Sequence, residues 1–208
     1  VAHEIKNPLT PMKLSVQHLS RSLLLAEKSD ERTLKDFQSK MVQQINVLSE
    51  IADEFSNYAE LPKGNMKQLD LLKILQKTIN LFKHESQVAF KINQDNISSF
   101  TILGDENQLI RVFNNLIQNS LQAMNNKGLI EINFIKTRAN LVVHFMDNGP
   151  GIPLDIHQKI FEPKFTTKSK GKGLGLALVW QIISNHNAKI SISNNSQGAH
   201  FIISFNLL

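Results

Sequence analysis

The sequence predicts an α+β chain: an antiparallel helical hairpin, half of a dimeric four-helix bundle, followed by an α/β sandwich domain built on a mixed sheet. Three observations carry this. Apolar residues fall at Ile5, Leu9, Met12, Val16, Leu19 and Leu23, and again at Leu34, Phe37, Met41, Ile45, Leu48, Ile51, Phe55 and Tyr58. Alternating spacings of three and four define a narrow coiled-coil seam on each of two long helices. Leu61-Pro62-Lys63-Gly64-Asn65 then ends the heptads with a residue that breaks helices and one that frees the backbone. Beyond it, strand-like and helix-like patterns alternate to the end of the chain.

Each element has a local reason. The polar run Glu27 to Glu31 separates the two seams and turns the chain back on itself. Two such helices cannot bury both stripes against each other alone, so a second copy is expected to complete a four-helix bundle. The boundaries follow: a hairpin over 1–61, a linker over 62–69 and a second domain over 70–208. In that domain Asp70 is placed to cap a helix reaching about Phe82, and strands are expected at Val88 to Ile92 and Phe100 to Leu103. Asp105 starts another helix, with Leu109, Val112, Phe113, Leu116, Ile117, Ser120, Leu121 and Met124 on its inner face. Strands at Leu129 to Ile135 and Leu141 to Met146 lead into a loop rich in Gly, Pro and Lys from about Asp147 to Gly173. A helix from about Leu174 to Asn185 and strands at Lys189 to Ser193 and His200 to Asn206 close the chain.

Composition narrows what such a chain does. With 208 residues, and about 150 residues as a loose measure of one domain, two modest domains fit. Hydrophobic residues at 41% and charged residues at 20% are ordinary globular values, which excludes wholesale disorder. No apolar stretch reaches the roughly 18–20 residues of a bilayer span, so any membrane attachment would come through a part preceding Val1. The absence of cysteine removes disulfides, thiolate zinc sites and cysteine nucleophiles, and fits a reducing compartment. A net charge of +5 suits a polyanionic ligand. Few aromatics accompany the local excess at Lys159, Lys164, Lys168, Lys170 and Lys172, so no nucleic-acid partner is expected.

Four constellations carry chemistry. His3, on the solvent side of its seam, has Glu4 beside it to accept a proton and Asn7 one turn on. Free imidazole titrates near 6.5, so a neutral, nucleophilic ring is available at neutral pH. Pro8 and Pro11 leave the carbonyls of Glu4 and Asn7 without helical partners and are expected to bend the helix there. Asn115 and Asn119 stand four apart on one helix face, where two amide oxygens can meet a hard cation and its phosphates. Asp147-Asn148-Gly149-Pro150-Gly151 follows a strand, offering a carboxylate for an exocyclic amine and glycines for close backbone approach. That pattern alone arises in roughly one chain in twenty of this length, and a plain turn explains it equally well. Gly171-Lys172-Gly173-Leu174-Gly175-Leu176 opens a helix whose N-terminal amides suit phosphate. A Rossmann motif would need a preceding strand and a later acid, and a P-loop would need Gly-Lys-Ser/Thr, neither of which is present.

In this order the motifs resemble those of the bacterial sensor histidine kinases of two-component systems, along the whole chain. His3 to Leu9 resembles the H box, Asn115 to Ala123 the N box, Asp147 to Ile152 the first glycine box, Phe161 to Phe165 the F box and Gly171 to Leu176 the second glycine box. Asn-Pro-Leu-Thr-Pro after the histidine and Phe-Thr-Thr-Lys in the loop look most like the nitrogen-regulation branch. The resemblance implies ATP and Mg2+ as cofactors, His3 as the phosphorylated residue, Glu4 as general base, and Asn7 as an orienting group. It implies Asn119 as metal ligand and Asn115, Asp147, Gly149, Gly151, Ile152, Lys164, Thr166, Thr167, Gly171, Gly173, Leu174, Gly175 and Leu176 around the nucleotide. It further implies autophosphorylation, transfer to an aspartate in the receiver domain of a response regulator, and a homodimer through the hairpin. The chain would be the cytoplasmic portion of an inner-membrane sensor. Two positions depart from the pattern: Ser120 replaces a commoner Ala, and Gln122 stands where relatives place a phosphate-contacting Lys, leaving Lys164, Lys168 and Lys172 as candidates for that contact. The competing functions are an ATPase of the gyrase and chaperone type, and a phosphatase-dominant or scaffold sensor.

Overall fold

A computed structural model describes residues 2–24, 31–59, 64–82, 87–94, 100–168, 173–195 and 198–207. The chain divides into two compact units, Val1–Leu61 and Pro62–Leu208. The first holds α1 (Ala2–Leu24) and α2 (Glu31–Ala59), joined by six residues and packed against one another, so they run antiparallel. Helix α1 continues through Pro8 and Pro11. Much of the predicted seam stays in solvent within a single chain: Leu9, Val16, Leu34 and Ile45 are each 44–50% exposed.

In the second unit β1 (Lys67–Asp70) pairs antiparallel with β3 (Thr101–Gly104) in a two-stranded ribbon. The linker expected over 62–69 is thus corrected at its end: residues 67–69 belong to a strand. Four residues with only Leu69 apolar carry too little alternation to announce it, and the pairing with β3 supplies the reason it forms. The main sheet has the order β2-β4-β5-β7-β6, with β2 (Gln87–Asn93) parallel to β4 (Lys127–Lys136). The other neighbours, β5 (Asn140–Asp147), β7 (Gly198–Asn206) and β6 (Lys189–Asn195), are antiparallel, which makes the sheet mixed. No helix among the described residues is long and apolar enough to cross a membrane.

Period-two alternation sets the two faces of the sheet. Leu141, Val143 and Phe145 of β5, Ile130, Ile132 and Phe134 of β4, and Phe201, Ile203 and Phe205 of β7 are all buried. Helices α3 (Leu71–Asn80), α4 (Glu106–Ala123) and α5 (Gly175–Asn185) contribute the other half of this core through Leu71, Leu75, Leu116, Ile117, Val179 and Ile182. Each such side chain contributes roughly 1.5–3 kcal/mol on burial, so the layer is held mainly by this face.

The helix starts are chemically explicit. The Asp70 carboxylate accepts from the backbone N–H of Leu72 at 3.0 Å and of Lys73 at 3.3 Å. Asp105 accepts from Gln108 N–H at 2.9 Å and from Asn65 N–H at 2.7 Å. Burial pushes the Asp105 carboxyl up, but these backbone bonds, with His186 nearby, outweigh it and hold the group below its usual value. His186, just past α5, donates from Nδ1 to the Ile182 carbonyl at 2.8 Å, so its Nε2 accepts the Asp105 N–H at 3.0 Å. This buried imidazole ties the end of α5 to the start of α4.

On the opposite face of the sheet His144 of β5 and His200 of β7 share a hydrogen bond, Nδ1 to Nε2, at 2.9 Å. Burial lowers the basicity of both, and His144 lowers His200 further. Asn133 lies across from His144, Met146 and Ser193 across from His200, and none supplies a compensating negative charge. The unfolded chain therefore takes up protons at these two sites before the folded one does, and their contribution to stability is complete above about pH 6.5 and lost as pH falls through the folded values. The urea midpoint of the second unit is expected to fall between pH 7.5 and pH 5, and His200→Gln is expected to shrink that difference.

Candidate functional site

Asp147 is the last residue of β5 and continues the buried parity of Leu141, Val143 and Phe145, which turns its carboxylate into the helix-covered side. It is 6% exposed. Its Oδ1 accepts from Gly149 N–H at 3.0 Å and from Ala199 N–H at 3.2 Å. Its Oδ2 accepts from the Ser120 hydroxyl at 2.7 Å. Ser120 lies on the inner stripe of α4, where a hydroxyl replaces the apolar group the periodicity would supply, and at 2% exposed it has the carboxylate as its partner. Three donors hold this buried carboxylate in one orientation, and a second lone pair on Oδ2 is left to meet a ligand amine.

The glycines around it are placed by space as well as by conformation. A Cβ on Gly149 would lie 3.0 Å from Asp147 Oδ1, and Gly151 adopts φ +75° against the backbone of Gly198. Asn148 closes the turn by accepting from Leu129 N–H at 2.8 Å. Ile152 follows, half-buried, its carbonyl accepting from His157 Nε2 at 3.0 Å. The loop beyond contains two short 3-10 turns, Leu154–Ile156 and Lys159–Phe161.

On α4, Asn115 and Asn119 share a side of the helix, yet their amide oxygens meet different neighbours. Asn115 donates to the Arg111 carbonyl at 2.8 Å, and its Oδ1 faces the first residue of α5, where a Cβ on Gly175 would come within 2.8 Å. Asn119 Oδ1 faces the loop and accepts from Lys168 Nζ at 3.4 Å. The same ammonium donates to Gln122 Oε1 at 2.8 Å. Burial lowers the basicity of Lys168, while Asp147 favours its charged form. Thr166 Oγ1 accepts from Lys168 N–H at 3.1 Å, a local turn that fixes where this side chain begins. Thr167 is exposed.

Helix α5 starts at Gly175, one residue after the expected Leu174, which is its N-cap and makes no side-chain capping bond. Its first amides are thus not closed off by a capping oxygen, and the positive helix end favours an anion. Leu174, Gly175 and Leu176 are all half-buried there. Gly173, at φ +68°, would place a Cβ 2.5 Å from the Lys164 carbonyl carbon, and its own carbonyl accepts Lys164 N–H at 2.8 Å. Lys164 itself has φ +70° and an exposed side chain. Gly171 and Lys172 lie outside the described residues. So do the side chains of His3, Glu4 and Asn7, whose backbone belongs to α1.

The oxygens gathered on α4 suit a hard cation: Asn119 Oδ1 already receives an ammonium, and neutral amide oxygen is a donor that Mg2+ accepts alongside phosphate. Two contributors have no assigned place in the site from sequence: Ser120, which reads as part of an apolar stripe, and Gln122, which reads only as a missing lysine. Their i and i+3 or i+4 spacing from Leu116 and Asn119 is the available signal.

Residues 104–208 match the family described as histidine kinase-, DNA gyrase B- and HSP90-like ATPase, and the chain belongs to that family. The chain is 28% identical to the nitrogen regulation protein NtrY of Azorhizobium caulinodans, over 95% of this chain and 26% of that protein. It is 29% identical to the signal transduction histidine-protein kinase AtoS of Escherichia coli, over 93% of this chain and 31% of that one. Among solved structures, histidine kinase ThkA in complex with the response regulator protein TrrA matches 99% of this chain and 59% of that chain, at 27% identity and a TM-score of 0.76. The chain thus spans about a quarter to a third of the length of these two curated relatives.

Removing the Ser120 hydroxyl leaves the buried Asp147 carboxylate one donor short. Ser120→Ala is expected to destabilise the second unit by about 1–3 kcal/mol in urea denaturation, a larger cost than trimming one exposed hydroxyl.

Proposed function

We propose that this chain is the catalytic core of a sensor histidine kinase: it binds ATP in the second unit, phosphorylates His3, and passes the phosphoryl group to an aspartate of a response-regulator receiver domain. The observation that carries the reading is the Asp147 carboxylate, buried and triply bonded yet with acceptor capacity left, beside the amides of α4 and the uncapped start of α5. Asp147 accepts the adenine amino group, Gly149 and Gly151 let the turn lie against the ring, and Ile152 adds an apolar wall. The α5 amides from Gly175 onward, with Leu174 and Leu176 flanking them and Gly173 shaping the approach, receive phosphate oxygens. Lys164, Thr166, Thr167 and Gly171 complete the loop on that side. Asn119, supported by Asn115, would hold Mg2+, which when bound neutralises phosphate charge.

In the first unit Glu4 takes the imidazole proton, a ring nitrogen of His3 forms its bond to the γ-phosphorus as the bond to the β,γ-bridging oxygen breaks, and ADP departs. Asn7 orients the phosphate. The relatives named as kinases and the ThkA complex with a response regulator support the reaction class and the partner. The exposed seam of Leu9, Val16, Leu34 and Ile45 supports a homodimer through the hairpin. The whole protein is read as a membrane-anchored sensor, with this portion on the cytoplasmic side.

Incubation with γ-labelled ATP and Mg2+ is expected to give acid-labile, alkali-stable label, absent from His3→Ala although that variant binds ATP as before. Label surviving in His3→Ala overturns the acceptor assignment. For Asp147→Asn, ATP affinity in a nucleotide titration is expected to drop at least about tenfold, because an amide is a weaker acceptor than a carboxylate and also presents a donor. Equal affinity would remove Asp147 from the adenine contact.

A further inference from the structure

We propose that Lys168 is the phosphate-side cation of the nucleotide site, delivered from the loop and seated on the amide oxygens of Gln122 and Asn119. The inference rests on the reading of this site as a nucleotide pocket and adds to it the group that meets the polyphosphate.

Helix α4 has no basic residue in its last turn. The polar positions there, Asn119 and Gln122, present neutral oxygens, so this last turn brings no full positive charge of its own to a ligand carrying several negative ones. The loop supplies that charge. Lys168 Nζ donates to Gln122 Oε1 at 2.8 Å and to Asn119 Oδ1 at 3.4 Å, one helical turn apart. An ammonium has three donors, so Lys168 can keep its shorter bond to Gln122 and still present a donor to a phosphate oxygen. The helix carbonyl end adds a negative potential that favours a cation at this spot.

The backbone of Lys168 is set for this as well. Thr166 Oγ1 accepts its N–H at 3.1 Å and donates to its carbonyl at 3.5 Å, a closed local turn that limits where the side chain can reach. Lys164 is placed differently: both lysines are exposed, but Lys164 sits where the chain doubles back through its backbone bond to Gly173, whereas Lys168 reaches the amide oxygens of α4. Gln122 is then the perch for a lysine from elsewhere, and the length of its side chain fits that use, since a Lys at position 122 would carry its ammonium to nearly the place that Lys168 now occupies. Asn119 would be claimed by both the ammonium and a bound metal, and the shorter bond to Gln122 would then be the seat that Lys168 keeps.

The test is a titration of the chain with ATP at fixed Mg2+, repeated with adenosine, for the wild type, Asp147→Asn, Lys168→Ala, Gln122→Lys and the double variant Lys168→Ala with Gln122→Lys. Lys168→Ala is expected to weaken ATP binding about tenfold or more and to leave adenosine unchanged, consistent with loss of one charge-assisted contact. Gln122→Lys in that background is expected to restore ATP affinity to within about threefold of wild type. Lys159→Ala, the same charge change elsewhere in the loop, is expected to have no effect. If Asp147→Asn weakens both ligands while Lys168→Ala binds ATP normally, or if Gln122→Lys restores nothing, the Lys168 assignment fails alone. If Asp147→Asn changes neither ligand, the pocket reading fails and takes the assignment with it.

Discussion

A carboxylate taken out of water must be answered by donors, and at Asp147 that requirement organises much of the second unit. Its three partners come from three separate places: the hydroxyl of Ser120 on α4, the amide of Gly149 in the turn after β5, and the amide of Ala199 on β7. A buried anion short of any one of them would cost more than the hydrogen bond returns, so helix, turn and strand are held to one another by a polar group inside an otherwise apolar layer. Gly198 takes part through its lack of a side chain, since a Cβ there would collide with the Asp147 carbonyl oxygen. The hairpin of β6 and β7 can close over the strand end only because that position is empty.

The opposite end of α4 is fixed in a comparable way. Asp105 caps it, Asn65 ties the entering chain to the same carboxylate, and His186 accepts the Asp105 amide from the end of α5. The helix carrying Asn115, Asn119, Ser120 and Gln122 is thus anchored at both ends by polar contacts to distant parts of the chain, with a buried apolar stripe between. A site built on such a rod keeps its spacing, which matters for chemistry that depends mainly on positioning. The loop between the strand end and α5 is joined to this rod through Lys168.

Most of the fold was legible from local signals because its elements obey one period at a time. Asp70 and Asp105 announced their helices, the strands from β4 to β7 alternate cleanly, and the Asn125-Asn126 turn, with both residues at positive φ, stops α4 where its composition said it would. Strand β1 was missed because four residues paired to one short partner leave almost no pattern. The carboxylate and the amide helix were legible for the same reason as the elements that bear them. What sequence could not convey was which donors converge on Asp147, since Ser120, Gly149 and Ala199 are separated by 79 residues along the chain and meet only through the sheet order. Of the three candidate lysines, the 2.8 Å bond to Gln122 distinguishes Lys168 from Lys164, while Lys172 lies outside the described residues.

Because Asp147 faces inward by the parity of β5, its orientation is counted from the strand itself rather than chosen by a rotamer. An odd-numbered insertion or deletion within Asn140–Asp147 would invert the pleat downstream and present the carboxylate to the open face of the sheet, beside the paired histidines. Length changes in the loop toward Gly173 carry no such inversion. By that parity a change in the length of β5 keeps the carboxylate facing inward only when it comes in steps of two.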